Sequence, residues 1–270
     1  RRHGADLVIP TVDVELPQVA ARIADFEALG AAVLVESLAT LERCQDKLEL
    51  VDVCRDVVRV PATVLLQEST TEQDLAELVE PYVVKPRRGA GGRGFAIISS
   101  ATDLQLVPRD GTMIAQELLP GDEYSIDVLA RPDGHVVASV PRRRDKVDSG
   151  IAVAGRTVKD EELEEFGRAV ARVIGATGVV NVQARRARDG TPALLEVNAR
   201  FPGTMVLTQA AGVDMPVLAV AARLGASIPD AIDFTEVAVV RHWEDVVVPI
   251  AEYEHVAAAV DPAADPAAGS

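Results

Sequence analysis

Apolar positions recur along this chain with changing periods, and the changes mark its elements. Leu7, Val8 and Ile9 form a short apolar run that reads as a strand. Leu16, Val19, Ile23 and Phe26 follow at spacings of three and four, one face of a helix that Gly30 closes. Residues 31–36 return to a strand-like run. Strand, helix and strand without a tight hairpin predict a parallel α/β unit. Such a unit alone makes a very small sheet, so further strands are expected from outside it.

Residues 37–57 carry a helical pattern with a break around Gln45-Asp46-Lys47. A strand follows at 61–66, then a short helix at 71–80 with Leu75, Leu78 and Val79 on its apolar side. From about residue 81 the pattern becomes consecutive strands, at 82–86, 94–99, 112–119, 123–130, 135–140, 151–158, 179–186 and 193–197. One helix interrupts them at 161–174, with Asp160 as N-cap, Leu163, Phe166, Val170 and Val173 inward, and Gly175 at its end. Residues 204–225 read as mostly helical, and 251–270, rich in Ala, Pro and Asp, as a flexible tail.

The chain has 270 residues, enough for two domains or one domain with lobes. Its 48% hydrophobic and 26% charged residues exclude disorder and collagen-like architecture. Lysine and arginine number 27 against 42 acids, a net charge of −15 that argues against nucleic acid and anionic membranes as partners. No apolar run approaches the ~20 residues of a membrane span. Cys44 and Cys54 show no CxxC spacing and set no disulfide framework, so the cytoplasm is the expected compartment. His3, His135, His242 and His255 are scattered, without a zinc signature. GxSxG and GxxxxGK[ST] motifs are absent as well.

Two stretches carry chemistry. In the first, the strand Tyr82–Pro86 runs into a loop with Gly89, Gly91, Gly92 and Gly94, and a second apolar run follows. Dinucleotide and P-loop fingerprints need a helix after the glycines. Here the flanks predict a hairpin, which can fold over a triphosphate with unshielded backbone N–H groups. No acid occurs from Pro81 to Thr102, whereas Lys85, Arg87, Arg88 and Arg93 supply positive charge. A basic surface hairpin is the plain alternative; Lys85 inside an apolar strand favours phosphate.

In the second, Asp189-Gly190 is a two-residue type I′ turn signal between strand-like runs. With those two as the loop, Gln183 stands opposite Glu196 and Asn181 opposite Asn198. Alternation then places Asn181, Gln183 and Arg185 on one face with Glu196, Asn198 and Arg200. Val180, Val182, Leu195 and Val197 take the core face. Carboxylate and amide oxygens beside a guanidinium suit magnesium carrying phosphate. A solvated polar face is the ordinary alternative. Cross-strand pairing of amides with an acid, and the sequel Phe201-Pro202-Gly203-Thr204, weigh against it.

Together these residues resemble the ATP-grasp superfamily, especially the carbamoyl-phosphate synthase large chain and related carboxylate–amine ligases. The resemblance runs from about Ala5 to Gly225. It rests on Asp46-Lys47, Val84-Lys85-Pro86 with the glycine hairpin, Gln116-Glu117-Leu118-Leu119-Pro120-Gly121-Asp122-Glu123-Tyr124, and Gln183 with Leu195-Glu196-Val197-Asn198-Ala199-Arg200-Phe201. It implies an ATP-grasp fold of mixed α+β and α/β class, two α+β lobes enclosing ATP after a truncated α/β domain. The implied divisions are 1–45 for that partial domain, 46–118 for the nucleotide-binding lobe, 119–250 for the metal-bearing lobe and 251–270 for the tail.

By the same resemblance, Lys47 and Lys85 would contact phosphates, with Lys85 also near the adenine. Gly89, Gly91, Gly92, Arg93 and Gly94 would close over the triphosphate. Glu117, Leu118 and Leu119 would form the hinge to the base, and Glu117 or Glu123 would hold ribose hydroxyls. Gln183, Glu196 and Asn198 match positions for magnesium, or manganese in its place. Arg200 matches an arginine near the γ-phosphate and would share the catalytic role with Lys85 and Asn198. Many relatives have an acid where Gln183 stands; the carbamoyl-phosphate synthase pattern tolerates the amide.

The implied activity is ADP-forming ligation of a small-molecule carboxylate to an amine through an acyl phosphate. A kinase on the same scaffold and a non-catalytic ATP-binding module of a larger synthase are the alternatives. The strand after Gly94 argues against a nicotinamide oxidoreductase. Arg142-Arg143-Arg144 with Lys146 read equally as a contact for phosphate or an acidic substrate and as a solvated strand edge. The identities of the acid and the amine are not encoded legibly, nor is oligomeric state, a homo-oligomer included.

Overall fold

A computed structural model describes residues 4–89, 94–148, 151–242, 244–250 and 252–254. The expected parallel unit is present and small: β1 (Leu7–Val8) pairs in parallel with β2 (Ala32–Val33). Two short helices connect them where one was expected, α1 (Leu16–Ala20) and α2 (Ile23–Ala28), because Arg22 leaves helical geometry at φ −120°. Leu16 and Ala20 are buried, while Val19, Ile23 and Phe26 are half-buried. The predicted break at 45–47 is sharp. Asp46 ends α3 (Leu38–Gln45) in extended geometry, and its carboxylate accepts from the Leu48 and Glu49 N–H groups to cap α4 (Lys47–Cys54).

An antiparallel sheet follows, built from β3 (Thr63–Gln67), β4 (Tyr82–Pro86), β5 (Ala96–Ile98) and β6 (Asp110–Gln116) in the order β3-β6-β4-β5. The short helix α5 (Ala101–Leu104) links β5 to β6. The hairpin expected around the glycines is confirmed by Tyr82 facing Ile98. Residues 71–80 form successive turns, not the expected helix. Thr71 and Asp74 exchange capping-box bonds. The backbone bonds that follow run from Leu75 to Glu72, Ala76 to Gln73 and Leu78 to Leu75, each three residues back, so the segment continues as tight turns and no α-helix propagates. Leu75 and Leu78 still pack on the sheet, whereas Val79 is exposed.

The larger sheet has six strands in the order β11-β10-β7-β8-β9-β12. These are β7 (Glu123–Ala130), β8 (Val136–Asp148), β9 (Ile151–Thr157), β10 (Val179–Arg186), β11 (Pro192–Asn198) and β12 (Ala238–Val240). β8 runs well past the expected end at residue 140 and takes Arg142, Arg143 and Arg144 into the ladder. Helix α6 (Glu161–Ile174) has its expected bounds, with the Asp160 carboxylate accepting from Leu163 N–H and Gly175 at φ +74°. Its Leu163, Phe166, Val170 and Ile174 pack with Ile126, Val128, Val180, Val182 and Val197; Val173 is only partly buried. Gly167 lets the helix approach closely, since a Cβ there would lie 2.6 Å from Ile126 Cγ2 and from Ser139 Oγ.

Residues 204–225 contain two helices, α7 (Val206–Ala210) and α8 (Met215–Arg223), separated at Gly212 with its φ of +100°. Asp214 caps the second through Val217 N–H. A second core gathers here, with Leu129, Ala138, Val140 and Val179 against Met205 and Met215. The chain up to Val240 makes one compact unit and residues from Arg241 a second. In the latter, Glu252 and Tyr253 donate backbone bonds to the Pro249 carbonyl. Apart from 252–254, the expected tail at 251–270 lies outside the described residues.

Candidate functional site

The β10–β11 pair organises the site, by a route different from the one expected. Ala187 N–H donates to the Thr191 carbonyl at 2.8 Å and Gly190 N–H to the Ala187 carbonyl at 3.0 Å. The loop therefore has three residues, Arg188, Asp189 and Gly190. Gly190 has φ +85°, and this three-residue loop takes the place of the expected two-residue I′ turn. The near ladder pairs Arg186 with Pro192 and Ala184 with Leu194. Leu195 then bulges and absorbs the extra residue. Beyond it, Gln183 faces Glu196 and Asn181 faces Asn198, the expected register. The bulge also corrects the expected core: Leu194 is the buried leucine, and Leu195 packs instead beside Leu119, Ala187 and Ala193.

Asn198 Nδ2 donates to Glu196 Oε1 at 3.3 Å, and Gln183 Nε2 to Asn181 Oδ1 at 3.5 Å. With their N–H groups so used, the two amides keep their oxygens for another partner. One carboxylate and two amide oxygens form a hard donor set of the kind magnesium accepts, with water and phosphate completing its shell. Among the described residues no group of three or more His, Cys, Asp or Glu could hold a metal.

Asn181 is itself held from beneath. Its Nδ2 donates to Asp127 Oδ1 at 2.7 Å. Asp127 also accepts from Arg142 Nε at 2.8 Å and Nη2 at 2.7 Å, and from the Thr208 hydroxyl. Arg142 Nη1 donates to Thr204 Oγ1 at 2.7 Å. Arg142 is 2% exposed and Asp127 0%, so Arg142 is neither a solvated edge charge nor a free substrate contact. Arg143 pairs with Asp122 and Asp145, and Arg144 with Glu123. Asp127 was not singled out from the sequence, although an acid inside the apolar run Tyr124–Ala130 is a readable signal.

Cations approach this face from α4 and β4. Lys47 Nζ donates to the Gly89 carbonyl at 2.8 Å, and Lys47 N–H to the Arg87 carbonyl at 3.0 Å. Desolvation first, then the neighbouring Lys47, push the Lys85 amine down to about 8, with Glu196 opposing both. Lys47 is also lowered by desolvation, against Glu196 and Asp46. Lys47, Lys85 and Glu196 thus form one electrostatic cluster. Arg87 and Arg88, expected to offer charge to phosphate, are instead bonded to Asp46 at 2.8 Å each. Burial works to raise the Asp46 carboxyl, but these guanidiniums and the Glu49 N–H hold it below its ordinary value. Gly89 and Gly94 bracket the hairpin with φ of +131° and +75°. Gly91, Gly92 and Arg93 lie outside the described residues.

The expected hinge lies directly after β6. Glu117 N–H donates to the Ala62 carbonyl, and its carboxylate accepts from Arg59 Nη2 and Ala62 N–H, both at 3.4 Å. Leu118 is half-buried and Leu119 buried. Glu123 is ion-paired to Arg144 and, at 3.8 Å, to Arg185, in a cleft shared with Arg186. Arg200 is engaged by a residue that carried no signal in the sequence: its Nε and Nη2 donate to Asp13 Oδ1 and Oδ2 at 2.8 and 2.7 Å. Beside this pair, α1, α3 and β11 enclose a cavity of about 210 Å³ lined by Asp13, Leu16, Leu41, Lys47, Glu196 and Asn198.

The family described as "ATP-grasp in the biosynthetic pathway with Ter operon" matches residues 109–246, about half of the chain. The chain belongs to this ATP-grasp family. Solved structures share the fold of this ATP-grasp chain at low identity. Biotin carboxylase from Campylobacter jejuni, in a complex titled with β-γ-ATP, is similar at a TM-score of 0.73 and 17% identity, over 84% of this chain and 56% of that one. The L-amino acid ligase from Bacillus licheniformis gives 0.63 and 22%, over 82% and 56%. The N5-carboxyaminoimidazole ribonucleotide synthetase from Thermotoga maritima gives 0.63 and 18%, over 84% and 60%. The chain thus spans less than two thirds of each of these proteins. Among its described residues no helix is long and apolar enough to cross a membrane.

Proposed function

We propose that this ATP-grasp chain is an ADP-forming carboxylate–amine ligase of the cytoplasm, acting through an acyl phosphate on a small-molecule carboxylate and an amine. The observation that carries the reading is the register that sets Gln183 opposite Glu196 and Asn181 opposite Asn198, with Lys47 lining the same cavity as Glu196 and Asn198. Gln183, Glu196 and Asn198 would hold magnesium, which when bound neutralises phosphate charge. Lys47 and Lys85 bind the phosphates, and the glycine hairpin excludes water from the reactive acyl group. Residues 117–119 receive the base. Glu117 or Glu123 holds the ribose hydroxyls.

A carboxylate oxygen attacks the γ-phosphorus in line, the bond to the β-phosphate oxygen breaks, and ADP leaves with that electron pair. The neutral amine then attacks the acyl carbon, phosphate departs, and the nitrogen loses its proton. Arg200 screens the two anions as they meet. No protein nucleophile is needed. The similar proteins supporting this reading are a carboxylase, an amino acid ligase and a synthetase. The test is phosphate release from Mg-ATP with panels of carboxylates and amines: release that needs both supports a ligase, and release with an acid alone, yielding a phosphorylated product, supports a kinase instead.

A further inference from the structure

We propose that Asp46 is a positioning residue for nucleotide binding. By gripping Arg87 and Arg88 it fixes the entry of the glycine hairpin against α4, and so sets the Lys47 amine in the wall of the cavity that Glu196 and Asn198 also line. The inference rests on the reading of Lys47 as a phosphate contact and deepens it by naming what holds that lysine in place.

Asp46 is 0% exposed, and its carboxylate is filled from two directions. From its own helix, the Leu48 and Glu49 N–H groups donate to Oδ1 at 3.1 and 3.3 Å. From the hairpin entry, Arg87 Nε donates to Oδ1 and Oδ2 at 2.8 and 2.9 Å, and Arg88 Nη2 to Oδ2 at 2.8 Å. The backbones are joined as well. Asp46 and Arg88 form an antiparallel bridge, and Lys47 N–H donates to the Arg87 carbonyl at 3.0 Å. The Lys47 amine completes the circuit on the Gly89 carbonyl at 2.8 Å.

A capping aspartate needs only the N–H groups of its own helix. The two arginines are the surplus, and they explain the arrangement. No acid occurs from Pro81 to Thr102, so the hairpin entry has no counter-charge of its own and Asp46 supplies it. One carboxylate answers two guanidiniums and leaves a positive charge over, and Arg88 stands in the cavity wall with Lys47 and Gly89. Without that carboxylate the guanidiniums repel each other, the Gly89 carbonyl loses its fixed place, and the Lys47 amine loses its anchor. A long side chain already held in one orientation gives up less freedom when an anion arrives.

The test is calorimetry of Mg-ADP, and of adenosine as its phosphate-free counterpart, on the full chain and on Asp46→Asn, Arg87→Lys and Lys47→Met. Asparagine caps a helix as well as aspartate does, so the start of α4 survives. Asp46→Asn also removes a negative charge near the phosphates, which by Coulomb attraction alone would tighten ADP. The positioning role predicts the opposite. ADP binds at least ~10-fold more weakly, the scale of one lost hydrogen bond to a charged group, while adenosine binding is unchanged. Arg87→Lys keeps the charge but loses the two-pronged grip, and it weakens ADP in the same direction. Equal or tighter ADP binding in Asp46→Asn overturns the proposal, as does a loss that adenosine shares. Should Asp46→Asn fail to fold, Arg87→Lys decides, and full ADP affinity there overturns the proposal. Lys47→Met separates the premise: undiminished ADP binding in it removes the phosphate role of Lys47, whereas weakened binding in it beside full affinity in Asp46→Asn removes only the positioning role.

Discussion

Gln183 stands directly opposite Glu196 because a bulge at Leu195 takes up the residue that the 188–190 loop adds. Two departures from the simplest hairpin cancel, and the polar face is restored where it matters. If Gln183 reaches the metal through its amide oxygen, a carboxylate there must strengthen the site, since ligand charge tunes affinity for hard cations. Gln183→Glu is expected to lower the magnesium concentration that half-saturates ADP binding by about 3-fold or more. An unchanged magnesium dependence would remove Gln183 from the site.

The buried Asp127–Arg142 pair anchors that face from behind, through Asn181. Removing one partner leaves a charge stranded in the interior, at about 3–5 kcal/mol. Asp127→Ala should therefore lose that much in urea unfolding, and Asp127→Leu combined with Arg142→Met should regain most of it. The double variant keeps stability but loses the support of Asn181. Its magnesium affinity is expected to fall by about 10-fold or more, as for lost outer partners of metal ligands.

Burial, aided by Lys47 and opposed by Glu196, pushes the Lys85 amine down to about 8. It is charged below that pH and neutral above, so its attraction for phosphate fades as pH rises through that point. ADP affinity measured from about pH 7 to about pH 9.5 should decline in the parent and stay flat in Lys85→Met, whose side chain never carries the charge. Parallel declines in both would assign the titration to another group.

Gly167 sits in mid-helix, where alanine ordinarily adds about 1 kcal/mol of stability. Here the new methyl would meet Ile126 Cγ2 and Ser139 Oγ at 2.6 Å. Gly167→Ala is expected to destabilise by about 1–3 kcal/mol through overpacking, read by thermal or urea unfolding. A stabilised variant would mean that α6 rides higher on the sheet.

Much of this was legible in the chain wherever a local rule and the tertiary structure agreed. Helix 161–174 has an N-cap, a clean apolar stripe and a left-handed glycine, and these local signals fix both of its bounds. The strand after Gly94 was readable because apolar residues follow the glycines directly. Residues 71–80 misled, since Leu75 and Leu78 keep helical spacing and Thr71–Asp74 forms a helix-start capping box, yet the backbone closes three-residue turns at 72–78. The roles of Arg87, Arg88 and Arg142 were illegible for another reason: their partners, Asp46 and Asp127, are distant in sequence, and a positive charge alone does not say whether it is already neutralised. Asp13 was hidden likewise, since only the fold brings it to Arg200.

Calorimetric titration of ADP into the parent chain and Glu196→Gln, each with and without magnesium, tests the central assignment most directly. The metal trio predicts that magnesium tightens ADP binding to the parent, and that Glu196→Gln removes most of this gain while keeping the metal-free affinity. A magnesium-dependent gain that survives in Glu196→Gln would contradict it.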